Sequence, residues 1–328
     1  MIPDHYTLAG SDVSVPPLGV GTWAWGDRST WGMGGYDANL TQASIRDAWD
    51  GSLDAGVTFF DTAEIYGGGE SERIIGSLLA DDPDRAGRAV IATKFMPSPW
   101  KLDVHRALFK SLRASLERLG LETVDLYQIH GPVSLRSHAA LAGALAAAHD
   151  QGLIRGIGVS NYSIKETRAM ASALGRHGLQ LATNQIEFSL LRRSPETSGL
   201  LAACAELGVV PLAYSPIGQG RLTGKYSTAN PPPGKRNFSD HPMELVDAVV
   251  AELRRIGDAH GGRSPSQVAL NWIIAKGAVP IPGAKNRHQA EENAGALGWS
   301  LDDDDMARLD RAALPGIRNL ASRVWQHG

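Results

Sequence analysis

The amino-acid sequence predicts an α/β protein, a single (β/α)8 barrel over residues 1–328 with an N-terminal β-hairpin plug and one extra C-terminal helix. Three observations predict it. Eight short, nearly continuous apolar or β-branched runs recur along the chain, segments of helical period separate them, and no low-complexity block or charge run divides the sequence. Strands buried on both faces read as unbroken apolar runs, which is the signature of parallel sheets covered by helices. Eight such strands alternating with helices suit a barrel.

Taken in order, residues 6–8 and 13–15 flank Ala9-Gly10-Ser11-Asp12 and read as a hairpin that stoppers the barrel's N-terminal end. The barrel strands follow at 18–21, 57–60, 89–93, 124–129, 154–159, 181–186, 209–213 and 279–281. Helical period is clearest where Leu108, Leu112, Leu116 and Leu119 share a face that Arg113, Glu117 and Arg118 avoid. After the seventh strand, residues 215–241 are rich in glycine and proline and include Pro231-Pro232-Pro233-Gly234. A loop that long in a compact domain is functional or unstructured, and this one falls on the face where barrel active sites lie. Asp302 to Asp305 suit the first turn of a last helix that ends near Ala313. The tail beyond it, 317–328, is short, with Trp325 its largest apolar group, and is expected to cover little of the barrel mouth.

Composition narrows the function classes. The 328 residues are 43% hydrophobic and 20% charged, enough for a large core. A net charge of −3 gives no basic footprint for nucleic acid or an anionic membrane surface. Cys204 stands alone, which excludes an intrachain disulfide and a cysteine-built zinc site. There is no His-Glu-x-x-His or His-x-His either, so no metal is expected. The most apolar stretch, 139–148, falls far short of the ~20 residues that span a bilayer. Met1-Ile2-Pro3-Asp4-His5 lacks the regions of a signal peptide. A cytoplasmic location is expected, and the oligomeric state is left open.

Familiar nucleotide motifs are missing. No Gly-x-Gly-x-x-Gly follows a strand, and Gly224-Lys225 runs into Tyr226 where a P-loop needs Ser or Thr. Polar chemistry gathers instead at strand C-termini, the catalytic end of a barrel. The second strand leads into Asp61-Thr62-Ala63-Glu64-Ile65-Tyr66-Gly67, the third into Lys94, the fourth into His130. Singly, each has a plain structural role: a capping Asp, a rim Tyr, a packed His. Together on three consecutive strand ends they place a carboxylate, a phenol, an ammonium and an imidazole around one mouth. A neighbouring ammonium favours phenolate and so is expected to lower the Tyr66 pKa from its usual ~10, making it a better acid; Asp61 would hold Lys94 charged, and His130 would orient a carbonyl oxygen.

These residues resemble the catalytic tetrad of the aldo-keto reductases. Gly158-Val159-Ser160-Asn161-Tyr162, Asn184-Gln185-Ile186-Glu187, Tyr214-Ser215-Pro216 and Ile281-Pro282-Gly283 extend the resemblance over about residues 15 to 300. It implies a barrel that binds NADPH or NADP+ without a Rossmann domain and reduces aldehydes or ketones. Tyr66 is then the general acid, and Asp61, Lys94 and His130 complete the catalytic set. Two other readings compete: a non-catalytic NADPH-binding regulatory subunit, similar to the potassium-channel β subunits, and a lyase forming a Schiff base on Lys94. The latter needs a neutral lysine, which Asp61 opposes.

Cofactor residues follow from similar chemistry. Asn161 and Gln185 suit a carboxamide, which needs both a donor and an acceptor, and Tyr214 offers a face to the nicotinamide. Ser215, Gly218, Gly220 and Leu222 supply a small-residue loop for the pyrophosphate. Lys285 and Arg287, beside Gly283, Gln289 and Asn293, suit an adenosine 2′-phosphate. Gly21, Thr22, Trp23, Asp61, Ser160, Pro216 and Lys225 complete the expected set. Many relatives carry Lys-Ser after Ile-Pro and a later Arg; here Gly283, Ala284 and Gln289 hold those positions. Trp23, Trp25, Trp31 and Trp100 are expected to line an apolar pocket for a small-molecule carbonyl substrate, left wide by the short tail and so suited to bulky ketones. Residues 293–299 resemble a branch that includes pyridoxal reductases.

Overall fold

The computed structural model describes residues 3–26, 40–233, 238–317 and 320–328. A hairpin, β1 (Tyr6–Thr7) and β2 (Ser14–Val15), precedes eight βα units. β3 (Gly19–Gly21) is followed by α1 (Trp23–Gly26) and α2 (Gln42–Asp54); β4 (Phe59–Asp61) by α3 (Glu70–Asp81) and α4 (Pro83–Ala86). Next come β5 (Val90–Phe95) with α5 (Val104–Leu119), β6 (Val124–Ile129) with α6 (His138–Asp150), and β7 (Ile154–Ser160) with α7 (Ile164–Gly175). β8 (Thr183–Glu187) leads to α8 (Ser194–Thr197) and α9 (Leu200–Glu206), and β9 (Val210–Tyr214) to α10 (Met243–Ala259) and α11 (Pro265–Ala275). The series ends with β10 (Val279–Pro280), α12 (Arg287–Ala294), α13 (Asp303–Ala312) and α14 (Leu320–Trp325).

β3 to β10 form one sheet in sequence order, every neighbouring pair parallel. The ends of the sheet meet where Gly21 N–H donates to the Pro282 carbonyl at 3.0 Å. A Cβ on Gly21 would lie 2.8 Å from the Ile281 oxygen, so this approach needs a glycine. Nearly closing the sheet into a barrel leaves little free strand edge.

Two apolar layers hold the barrel. Outside it, side chains such as Trp49, Phe60, Leu108, Leu112 and Trp272 fill the space between strands and helices, with Trp49 stacked on Phe60 at 4.1 Å. Inside it, Phe59, Ala92, Leu126, Leu212, Val279 and Ile281 meet Leu8, Val13 and Val15 of the hairpin in a separate cluster. The hairpin is the expected plug. Helix ends follow the sequence signals: Ser163 with Glu166 and Ser264 with Gln267 make capping boxes, and Gly120 ends α5 at φ 67°. Asp302 caps α13, the extra helix, as its acidic start implies. The sequence did not signal α14. Among the described residues no helix is long and apolar enough to cross a membrane.

Leu8 is fully buried at the centre of the plug. Leu8→Ala is expected to lower stability by about 2–5 kcal/mol, the usual cost of a cavity in a packed core. Urea unfolding measures it, and a loss under ~1 kcal/mol would mean that the hairpin is not tightly packed into the barrel.

Candidate active site

The C-terminal ends of β4, β5 and β6 bring Asp61, Lys94 and His130 to one mouth, and a 3-10 turn, Tyr66–Gly69, delivers Tyr66. Gly67 makes that turn possible. Its φ is 60°, and a Cβ there would sit 2.0 Å from the Gly26 oxygen. At the floor, Lys94 Nζ lies 2.5 Å from Asp61 Oδ2 and donates to the Thr62 carbonyl at 2.8 Å. Its third direction is Tyr66 Oη at 3.3 Å. Asp61 Oδ1 accepts from Gln185 Nε2 at 2.8 Å and from Gln128 Nε2 at 3.1 Å. A buried ion pair persists when its remaining lone pairs and protons are met, and here they are.

A second layer sets those partners. Gln128 Oε1 accepts from Thr183 Oγ1 at 3.3 Å, and Gly158 keeps that space clear, since a Cβ there would meet Thr183 Oγ1 at 2.1 Å. The Ser71 hydroxyl joins Thr22 and Thr62, tying the ends of β3 and β4 to the start of α3. Fully buried Glu72 accepts from Thr93 and pairs with Arg118 at 2.6 Å. Apart from naming Thr22, sequence reasoning missed this layer, whose members are mainly hydroxyls, with Gln128, Glu72 and Arg118, spread over distant elements.

Tyr66 and His130 face each other edge-on with ring centres 5.7 Å apart. His130 is buried, and burial together with the Lys94 charge holds its pKa well below the usual histidine value. Its ring is neutral, and Nδ1 has no hydrogen-bond partner among the described residues. Tyr66 departs from expectation. Burial, then the Asp61 charge, push its pKa well above the usual phenol value rather than below it. The physical reason is that Asp61, in contact with Lys94, offsets the ammonium, so burial dominates. Lys94 itself is pushed down by burial, against the pull of Asp61 and Glu72.

The residues expected to meet a carboxamide lie close together. Asn161, held at φ 63°, donates from Nδ2 to Ser160 Oγ at 3.1 Å and accepts at Oδ1 from the Tyr214 hydroxyl at 2.9 Å. Gln185 Nε2 is committed to Asp61, so what Gln185 offers a ligand is its oxygen. Ser215, Gly218, Gln219 and Gly220 all have positive φ, between 50° and 89°. Such backbone turns its N–H groups to one side and suits an anion. Pro216 and Leu222 are buried beneath this loop, while Lys225 lies exposed over the Tyr226 ring. Arg221, absent from the sequence-based set, is buried and donates to the carbonyls of Gly218, Phe238 and Ser239, so it fastens this turn to the far end of the long loop. Gly21 and Thr22 lie at the closure of the barrel and Trp23 is half-buried beside them.

Other expected residues have different work. Gln289 Oε1 accepts from the Lys285 N–H and Asn293 Nδ2 donates to the Gly283 carbonyl, so both shape the 283–285 segment. Arg287 pairs with Asp54 of α2 at 3.1 Å. Trp25 is not a pocket wall. It is buried against Phe60, and its indole N–H donates to the Ala284 carbonyl at 2.7 Å, bracing that segment from below. Trp100 is 79% exposed and borders an apolar cavity of about 560 Å³ with Met96, Pro99, Pro132 and Val133. Trp31 lies outside the described residues. The tail also differs from expectation. Instead of leaving the mouth open it crosses it, with Trp325 5.5 Å from the His130 ring and against Gly131, and Val324 on the cavity wall.

Residues 17–314 match the model of the aldo/keto reductase family. The chain is 35% identical over 327 residues to a chloroplastic pyridoxal reductase of Arabidopsis thaliana, covering 96% of this chain and 87% of that one. Among solved structures, a glycerol dehydrogenase from Gluconobacter oxydans superposes with a TM-score of 0.80 at 29% identity, covering 98% and 99% of the two chains. An aldo-keto reductase from Klebsiella pneumoniae, solved with NADPH, gives a TM-score of 0.75 at 26% identity over 97% and 98%.

The burial of His130 makes a direct test of the electrostatics. In NMR titration its ring signals are expected to stay those of neutral imidazole well below the usual histidine transition at ~6.5. A transition at the ordinary value would mean that water and ions reach the ring freely.

Proposed function

The chain belongs to the aldo/keto reductase family, and from that premise we propose that it reduces aldehydes or ketones to alcohols with NADPH, Tyr66 acting as general acid. What carries this reading is the contact of Lys94 Nζ with Tyr66 Oη at 3.3 Å, beside the edge of His130 and over the Asp61 pair. The cofactor supplies the hydride. Asn161, Ser160 and the oxygen of Gln185 would take its carboxamide, the face of Tyr214 its nicotinamide, and the turn from Gly218 its pyrophosphate. Lys285 would reach the 2′-phosphate. The Klebsiella reductase solved with NADPH supports that choice of cofactor.

Tyr66 holds its proton at neutral pH and releases it to the carbonyl oxygen as negative charge builds there. A phenol with a raised pKa remains a strong enough acid for this step, because the developing alkoxide is far more basic. Neutral His130 donates a hydrogen bond to the same oxygen. The phenolate left behind lies beside the ammonium of Lys94, and Asp61 keeps that ammonium protonated against the cost of its burial. The apolar cavity beside Trp100 would take the rest of the substrate, a binding mode that favours apolar carbonyls.

Two substitutions test the assignments. Tyr66→Phe is expected to lower kcat by about 10²–10⁴, the range of lost acid catalysis, with NADPH binding intact; near-normal turnover would remove Tyr66 from its role. Lys285→Ala is expected to raise the Kd for NADPH about tenfold or more, the worth of a charge-assisted contact, and to leave NADH unchanged. Equal losses for both cofactors in fluorescence titration would show that Lys285 supports only the loop.

A further inference from the structure

The last three residues reach past Tyr66 and His130 to the ends of β7, β8 and β9. Gln326 Nε2 donates to Glu187 Oε2 at 2.5 Å and to the Tyr214 hydroxyl at 2.9 Å. The His327 N–H donates to the Asn161 carbonyl at 3.2 Å, its ring meets Glu166 at 2.9 Å, and Arg192 donates to the Gly328 carbonyl at 2.6 Å. Glu187 is buried, and its other oxygen accepts from Ser239, so one carboxylate holds both the tail and the long loop.

These hydrogen bonds have a sense. Burial pushes the Glu187 pKa up, and the Arg192 guanidinium at 3.8 Å opposes that shift and favours the ionised form; an ionised carboxylate only accepts, so the Gln326 amide presents its nitrogen to it. The same nitrogen donates to the Tyr214 oxygen, which leaves Tyr214 to spend its own proton elsewhere. That proton goes to Asn161 Oδ1 at 2.9 Å. With Oδ1 accepting, Asn161 turns its Nδ2 to Ser160 Oγ at 3.1 Å. The order Glu187, Gln326, Tyr214, Asn161, Ser160 runs in one direction from end to end. Asn161 is thus bound by the tail twice, at its side chain through Tyr214 and at its carbonyl through His327.

We propose that Gln326 is a positioning residue for the nicotinamide end of the cofactor site: by donating to Tyr214 from the Glu187 anchor, it fixes the direction in which Tyr214 and Asn161 present their hydrogen-bonding groups. The proposal rests on the NADPH-dependent reading above. It assigns the tail a task in cofactor binding, distinct from that of Trp325 beside the substrate.

The test titrates the full-length protein with NADPH by tryptophan fluorescence and records thermal melting alongside. Gln326→Ala is expected to raise the Kd about three- to tenfold, the weight of one lost hydrogen bond and its consequences, with the melting midpoint unmoved. A paired exchange, Glu187→Gln with Gln326→Glu, keeps an amide–carboxylate bond and so keeps the tail anchored. It places an acceptor beside Tyr214, which draws the hydroxyl proton away from Asn161. Affinity in the exchange variant is expected to stay as low as in Gln326→Ala. Wild-type affinity in the exchange variant would overturn the proposal, because anchoring alone would then suffice. An unchanged Kd in Gln326→Ala would overturn it too, and a tighter one would show that the tail obstructs the cofactor. If the unaltered protein itself fails to bind NADPH, the proposed function falls first and this inference with it.

Discussion

An ammonium and a carboxylate 2.5 Å apart, both shut off from water at the floor of the mouth, set the terms for the residues around them. Removing either charge from water alone costs several kcal/mol, and their mutual attraction repays it only with full hydrogen bonding. Gln128, Gln185 and the Thr62 carbonyl provide that bonding. They in turn need Thr183 to orient Gln128 and the bare backbone of Gly158 to make room for it. The barrel interior therefore has two storeys. The lower one is apolar and stoppered by the hairpin; the upper one is a hydrogen-bonded polar layer that opens on the mouth.

The same pair governs the electrostatics of Tyr66. Seen from the phenol, Lys94 and Asp61 act largely as a dipole, so the ammonium does not lower the Tyr66 pKa as an isolated cation would; burial and the carboxylate raise it. In the proposed mechanism the contribution of Lys94 then lies less in loosening the proton beforehand than in receiving the phenolate once the proton has gone. His130, its pKa held low by burial and by Lys94, adds no second full cation to the site at neutral pH.

Much of this was legible in the sequence because the signals are local. A strand buried on both faces announces itself in a few residues, and a polar residue at its C-terminal end lands on the mouth, which is how Asp61, Lys94 and His130 declare themselves. The hairpin and the acidic start of α13 are equally local. What escaped depends on contacts between distant segments. Gln326 and Glu187 are 139 residues apart, and the six residues of α14 carry no periodicity that marks them. Trp25 was misread for a related reason: an aromatic side chain near the mouth can turn inward, and only its partner, the Ala284 carbonyl, decides that. The sign of the Tyr66 shift required knowing how closely Asp61 offsets Lys94.

The long loop and the tail, whose contacts the sequence did not signal, converge on one buried carboxylate, Glu187. Their hold on the barrel is made of a few hydrogen bonds, each worth about 0.5–1.5 kcal/mol net, set against about 1–2 kcal/mol for ordering each backbone residue. Terms so close in size leave the closed arrangement dependent on further contacts, such as Trp325 over His130 and Gly131. The floor is different in kind, since the Asp61–Lys94 pair and its partners are enclosed by strands and cannot rearrange without opening the barrel. The enclosed Asp61–Lys94 centre is thus roofed by segments with a small free-energy margin, and because Asn161 is tied to that roof through both Tyr214 and His327, closing the mouth and ordering the Asn161 amide belong to one equilibrium.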